Sequence, residues 1–533
     1  METLAEREHG TAPDATISER AHGTSRRLHF LRAAVVGIVS GLLAVAFRRA
    51  LAEAELGRAE LLRELHRDPA TAGWGWVVLP LVGAGVGCFV GWITQRFAPH
   101  ASGSGIPHLK GVLLHVRRME WRRLLPVKFI GGVLGIGVGL SLGREGPTVQ
   151  MGAGAARAMA SMLRTPKRDV PQLLSAGAGA GLAAAFNAPL AGLLFVVEEL
   201  HRELSSRTAA GALVAAVGAT VVAQALGGAA PSFMIRGLEA LPLDTLPLAC
   251  AIGVFGGALG VAFNQSLLAS QAAALRQRAI PRWMLPGLAG VLVGLVAWWL
   301  PEAVGGGHLA AEQVLRGTTG ISLGLLLLIL CVKFLLTAAS YASGAPGGIF
   351  APMLLLGALL GAAFGDAAPR LLPAYAGHAQ VLAVLGMAAV FVGSVRAPLT
   401  GIVLISEMTD GYALLFPICI TSLAAFLTAE ALRGRPIYEA LLEADLHRTG
   451  SGDSRVEPRT VYIGVQTGSS LAGKKIIDAG LPRGCLVVGL ERFDTTLLPT
   501  AQTELQPGDH VTILVPGHLT DAPLQIVQLC TGL

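Results

Sequence analysis

Gly143-Arg144-Glu145-Gly146-Pro147 sets an acid and a base between glycines, just ahead of a proline and at the end of the apolar run Phe129 to Leu142. Glycine frees the backbone, and proline sits well in a first helical turn, so the stretch reads as a loop that opens a helix. Gly103-Ser104-Gly105-Ile106-Pro107 and Gly347-Gly348-Ile349-Phe350-Ala351-Pro352 have the same grammar. Helix starts carry free N–H groups and a positive partial charge. Three of them within a membrane make a site for an anion.

The membrane assignment rests on composition. Of 533 residues, 53% are hydrophobic and 14% charged, which no soluble domain of this length requires. Apolar runs recur along the chain, among them Ala33 to Phe47, Trp74 to Ile93, Thr208 to Gly227, Leu248 to Phe263, Leu285 to Leu300, Ile321 to Leu336, Val381 to Val395 and Leu414 to Leu427. Several fall short of the roughly 20 residues that an upright span needs, which predicts tilted, broken or re-entrant helices. The 68 glycines suit close helix packing in lipid.

Met1 to Ser25 is polar and lacks the apolar segment of a signal peptide, so residues 1–27 read as a cytoplasmic tail. Arg26, Arg27 and Arg32 precede the first run, and Arg433 and Arg435 follow the last, which predicts that both termini are cytoplasmic. Basic cytoplasmic loops account for the net charge of +6 without a nucleic-acid partner. The six cysteines lack CxxC spacing and are expected to be buried free thiols; neither a metal nor a cofactor is indicated.

An internal repeat is visible. Ala188-Pro189-Leu190-Ala191-Gly192-Leu193-Leu194-Phe195-Val196-Val197-Glu198 matches Ala397-Pro398-Leu399-Thr400-Gly401-Ile402-Val403-Leu404-Ile405-Ser406-Glu407, and the motif ending at Pro147 aligns with the one ending at Pro352. Two halves, about 28–228 and 240–447, are therefore expected within a transmembrane domain of residues 28–447. Spacing leaves open whether they are parallel or inverted.

With these motifs in this order, residues 30 to 447 resemble the CLC chloride channels and transporters. The resemblance implies an all-α polytopic membrane protein with inverted halves of tilted and re-entrant helices, a homodimer with one anion pathway per subunit. It also implies a bacterial inner membrane location.

On the residues alone, Ser104 reads equally as a helix N-cap, Glu145 as a charge placed on a helix dipole, Phe350 as packing, Tyr438 as an interfacial aromatic and Glu199 as a solvated helix end. By resemblance, chloride is bound by Ser104, Gly105, Ile106, Gly146, Ile349, Phe350 and Tyr438. In the same way Glu145 is the external gate and proton acceptor, Glu199 the internal proton relay, and Arg144 and Lys128 tune the pathway's potential. An ionisable group in an apolar region is functional by default, and a carboxylate aimed at an anion site mimics the anion. The expected function is chloride exchanged for protons, with a passive voltage- or pH-gated chloride channel as the alternative. A hydrolase using Ser104 with His108 lacks any accompanying triad.

One departure stands out. Some bacterial exchangers of this family have acids where this chain has His108 and Lys110. A cation near Glu199 favours its charged form.

Beyond a polar linker at residues 448–455, residues 456–533 are soluble in composition, with candidate strands Cys485 to Leu490 and His510 to Pro516. Ser469-Ser470-Leu471-Ala472-Gly473-Lys474-Lys475, Leu481-Pro482-Arg483-Gly484-Cys485 and Leu505-Gln506-Pro507-Gly508-Asp509 resemble the TrkA-C domain, a small α+β regulatory module. That resemblance implies dimerisation and a small-molecule ligand such as a cyclic dinucleotide, or else a dimer-stabilising cap without one.

Overall fold

The computed structural model describes residues 15–67, 73–114, 116–201, 205–233, 235, 245–317, 322–371, 378–449, 459–492, 495–516, 519 and 522–531. The first half contains α1 (Ala15–Arg67), α2 (Gly75–Phe97), α3 (Ile106–Leu113), α4 (Trp121–Gly137), α5 (Glu145–Met162), α6 (Val170–Phe186), α7 (Pro189–Leu194, carried on by the π-helical Phe195–His201) and α8 (Ser206–Gly227). The second contains α9 (Leu246–Arg276), α10 (Leu285–Trp299), α11 (His308–Leu315), α12 (Leu323–Ala342), α13 (Phe350–Leu371), α14 (Ala379–Val395), α15 (Pro398–Thr409), α16 (Leu415–Ala431) and α17 (Ile437–Thr449). Among the described residues, eight helices are long and apolar enough to cross a membrane, while α6, α14 and α15 are apolar but shorter.

The halves are built alike: α1 packs on α8 as α9 packs on α16, and α5 packs on α6 as α13 packs on α14. Their relation is inverted. The Glu198 carboxylate, near the end of the first repeat motif, accepts from the amides of Leu399 (3.0 Å) and Thr400 (2.6 Å) at the start of α15. Glu407, at the matching place in the second motif, accepts from Leu190 (3.1 Å) and Ala191 (2.8 Å) at the start of α7. Two segments that cap each other's N-terminus lie head to tail, and such reciprocity requires a two-fold axis.

Large apolar side chains such as Leu81, Val221, Leu335 and Leu427 point outward, as lipid contact demands, while the buried core runs through α5, α13 and α14. Cys250 and Cys331 are also exposed, so the expectation of buried thiols is corrected: cysteine is apolar enough to face lipid, and Cys530 alone of the six is fully buried. The stretch expected to be a polar tail is helical from Ala15 onward, continuous with the first span, and residues 1–14 lie outside the described residues. The expected linker starts late, because α17 extends to Thr449; the rest of it lies outside the described residues.

The C-terminal domain is an antiparallel sheet of β1 (Arg459–Gly464), β2 (Leu486–Arg492), β3 (Thr495–Leu497) and β4 (His510–Val515) in the order β1-β4-β2-β3, with α18 (Ala522–Thr531). β4 alternates, burying Val511, Ile513 and Val515 on one face against Ile526 of α18. Arg492 clasps Asp509 through two 2.7 Å bonds, and Asp509 also accepts from Gln506, so the turn at Gln506–Asp509 is pinned to β2. Both candidate strands are present; β1 and β3, short and half polar, went unread in the sequence.

Candidate anion and proton site

The three glycine loops meet at the centre of the transmembrane domain. Gly143 and Gly348 exchange backbone bonds (2.6 and 2.7 Å) across the two-fold, and Gly103 lies beside Pro346, its amide donating to Ala345 (3.2 Å) and its carbonyl accepting from Gly347 (3.0 Å). This approach requires glycine. A Cβ on Gly146 would stand 2.8 Å from the Ser104 carbonyl oxygen and 3.0 Å from the Gly348 Cα. Gly105, the N-cap of α3, has φ of 83°, a left-handed conformation that other residues resist.

α3, α5 and α13 therefore begin beside one another. Gly146 lies in the first turn of α5, Ile349 and Phe350 open α13, and the N–H groups at such positions have no intrahelical acceptor. The Phe350 ring packs on Phe186 and Phe391, so its side chain belongs to the core and only its backbone faces the site. Ser104 is buried, and its hydroxyl accepts from the Ile106 amide at 3.3 Å, so it caps α3 as well as facing the site.

Glu145 is buried, and its Oε2 lies 3.3 Å from the Ala351 amide. Its carboxylate thus rests on the first turn of α13, in the other half of the molecule. Arg144 Nε lies 3.8 Å from Glu145 Oε1, and the Arg144 guanidinium reaches His308 at 3.5 Å. Tyr438 is buried, its hydroxyl has no hydrogen-bond partner among the described residues, and it lies near Glu145, Glu199 and Tyr341. The structure therefore brings Ser104, Gly105, Ile106, Gly146, Ile349, Phe350, Tyr438, Glu145 and Arg144 to one region.

Lys128 has a more direct part than tuning the potential. Fully buried, its ammonium donates to the carbonyls of Ala101 (2.9 Å) and Gly103 (2.6 Å), holding the loop that carries Ser104. Lys128→Met is expected to leave the buried Ala101 carbonyl unsatisfied, at about 1–3 kcal/mol, and the Gly103 carbonyl with its Gly347 bond alone. A lower unfolding temperature in detergent and a reduced chloride flux from liposomes check this.

Several residues at the site went unread in the sequence. Tyr341 on α12 hydrogen-bonds Ser104 and packs beside Gly103. Gly305-Gly306-Gly307 forms a fourth glycine loop, with Gly307 (φ 84°) capping α11 as Gly105 caps α3, and Lys333 holds the Gly305 carbonyl at 2.5 Å as Lys128 holds Gly103. The signal was present as a glycine-rich loop and a lysine in each half, but the fourth loop has no proline to mark it. Gln150 donates to the His100 carbonyl (2.9 Å) and to His108 Nδ1 (3.1 Å).

His108 also donates through Nε2 to the Arg118 carbonyl at 3.2 Å. Both ring nitrogens are engaged away from Ser104, so a Ser104–His108 hydrolase pair is not formed. Lys110 does reach Glu199, with Nζ 2.5 Å from Oε1, and both side chains are buried.

Residues 86–430 match the family model described as voltage gated chloride channel. The chain belongs to that family. Residues 461–521 match the TrkA-C domain. The chain is 42% identical over 423 residues to the H(+)/Cl(-) exchange transporter ClcA of Salmonella arizonae, which covers 78% of this chain and 88% of that one. It is 41% identical over 438 residues to the ClcA of Citrobacter koseri, covering 81% and 91%. Among solved structures, a slow cyanobacterial Cl-/H+ antiporter superposes with a TM-score of 0.75 at 34% identity, covering 79% of this chain and 98% of that one. A eukaryotic CLC transporter superposes with a TM-score of 0.66 at 24% identity, covering 79% and 75%, a likeness of fold alone. The CLC-type fold of inverted halves is thus shared with the family, and the α+β domain that follows it matches TrkA-C separately.

Proposed function

We propose that this protein exchanges chloride for protons across the membrane, with Glu145 as the group both ions contend for. The observation that supports this most directly is the Glu145 carboxylate on the Ala351 amide. An ionised carboxylate there takes the place of an anion at the start of α13; once protonated, it loses most of its attraction for the N–H groups and yields the place to chloride. Proton uptake and anion passage are then alternatives at one position, which is the basis of coupling.

Chloride would be held by the Ser104 hydroxyl, the Tyr438 hydroxyl and the first-turn amides of α3, α5 and α13, including those of Gly105, Ile106, Gly146, Ile349 and Phe350. Each is a neutral donor, so the halide binds without a fixed counter-charge and leaves readily. Glu199 would pass protons between the cytoplasmic side and Glu145, past Tyr438, while Arg144 biases the outer approach.

Glu199→Gln separates exchange from channel behaviour. In liposomes with a chloride gradient, the variant is expected to lose proton uptake while chloride still moves; proton uptake equal to that of the unaltered protein would remove Glu199 from the pathway. Current in the unaltered protein that reverses at the chloride equilibrium potential despite a pH gradient would favour the channel reading. The same proposal takes the protein to be a homodimer in a bacterial inner membrane with cytoplasmic termini, and its TrkA-C domain to bind a small molecule such as a cyclic dinucleotide.

A further inference from the structure

Two acids flank one base beneath the chloride site. Lys110 Nζ on α3 lies 2.5 Å from Glu199 Oε1 and 3.7 Å from Glu439 Oε1, the latter in the first turn of α17. Exposure is graded: the side chains of Glu199 and Lys110 are 3% and 7% exposed, and that of Glu439 is 21% exposed. Glu439 is thus the member of the trio closest to water.

The arrangement constrains proton entry. Placing a proton on Glu199 removes the charge that neutralises Lys110, and an ammonium left alone in a low-dielectric interior is costly. Glu439, already within 4 Å, offers a second counter-charge without any backbone motion. Resting on the Glu199 relay reading above, we propose that Lys110 and Glu439 are positioning residues that set the pH of proton entry: Lys110 holds Glu199 ionised and passes to Glu439 when Glu199 takes a proton.

The step balances simply. A hydronium ion delivers its proton to a Glu199 oxygen, the Lys110–Glu199 pair opens, and the Lys110–Glu439 pair closes. When the proton leaves toward Glu145, the first pair closes again. Among the described residues, the other charged groups on the elements about Glu199 have partners elsewhere. On its own segment Glu198 caps α15, and His201 hydrogen-bonds Ser175 of α6. On α8 Arg207 pairs with Asp169, on α15 Glu407 caps α7, and Arg117 pairs with Asp445 of α17. Tyr438, beside Glu439, is neutral and near Glu199.

The test uses the full chain in liposomes, measuring chloride-driven proton flux as the pH on both sides is varied together. An opposite charge at this range shifts a carboxylate by about one pH unit or more, so Lys110→Met is expected to move the midpoint of proton flux up by at least that much. Glu439→Gln is expected to move it down, because among the described residues Lys110 then has Glu199 as its one counter-charge, and a neighbouring negative charge is gone. Lys110→Arg stays near the original midpoint, and Lys110→Gln replaces Lys110→Met should the latter fail to reconstitute. An unmoved midpoint in the Lys110 and Glu439 variants, or movement of both in one direction, overturns the assignment. Glu199→Gln separates the two levels: if it abolishes proton flux while the midpoints stay fixed, only the role of Lys110 and Glu439 falls, whereas if it leaves proton flux intact, the relay itself falls.

Discussion

Glu145→Gln is expected to abolish proton transport and leave a chloride flux that no longer responds to pH. The amide has nearly the shape of the acid, so the packing around Gly143, Gly146 and Gly348 is retained. What changes is charge. A carboxylate at a partly buried helix start gains up to about 2 kcal/mol from the N–H groups and dipole, roughly a thirtyfold preference over a neutral group. Glutamine forfeits most of that preference and has no proton to exchange, so it cannot exclude chloride in one protonation state and admit it in the other. Simultaneous recordings of chloride efflux and proton uptake from liposomes check both halves of the statement. Proton uptake that persists in this variant would refute the competition on which the exchange mechanism rests.

Gly146→Ala is expected to lower chloride turnover by roughly 10–100-fold while the protein still reaches the membrane, because a displacement of about an ångström in a site of this kind has that effect. A single methyl group suffices because its Cβ would meet backbone, at 2.8 Å from the Ser104 carbonyl oxygen and 3.0 Å from the Gly348 Cα, with no flexible side chain to give way. Either the Ser104 loop or the start of α13 must retreat, and each forms part of the proposed anion site. Gly85→Ala on α2 is the control, since a Cβ there meets nothing within 4 Å. Chloride efflux rates of the two variants, normalised to reconstituted protein, decide the matter. Equal rates would mean that the loops need not stay in contact for transport.

Much of the site was legible because glycine and proline punctuate sequence strongly and a charge in an apolar run is conspicuous. Glu145, Ser104 and the start of α13 were found on those grounds together with the family resemblance. Tyr341 escaped, since an aromatic near the end of an apolar helix reads as an interfacial anchor, and only the fold turns it toward Ser104. Lys128 was found but assigned a long-range effect, whereas its bonds to two carbonyls make it a brace for the loop that carries Ser104. α6 and α13, absent from the apolar runs, are rich in the alanine and glycine that suit close helix packing.

The sequence by itself determined that the chain is a membrane protein of two related halves with several helix starts rich in glycine, since these depend on composition and local backbone preference. It also determined that an acid stands at one of those starts. Only the tertiary structure decided that the halves are inverted, that Glu145 rests on a helix of the opposite half, and that Lys110 lies between Glu199 and Glu439. Those facts join residues far apart in the chain, and nothing local encodes which side chains a two-fold axis will bring within hydrogen-bonding distance.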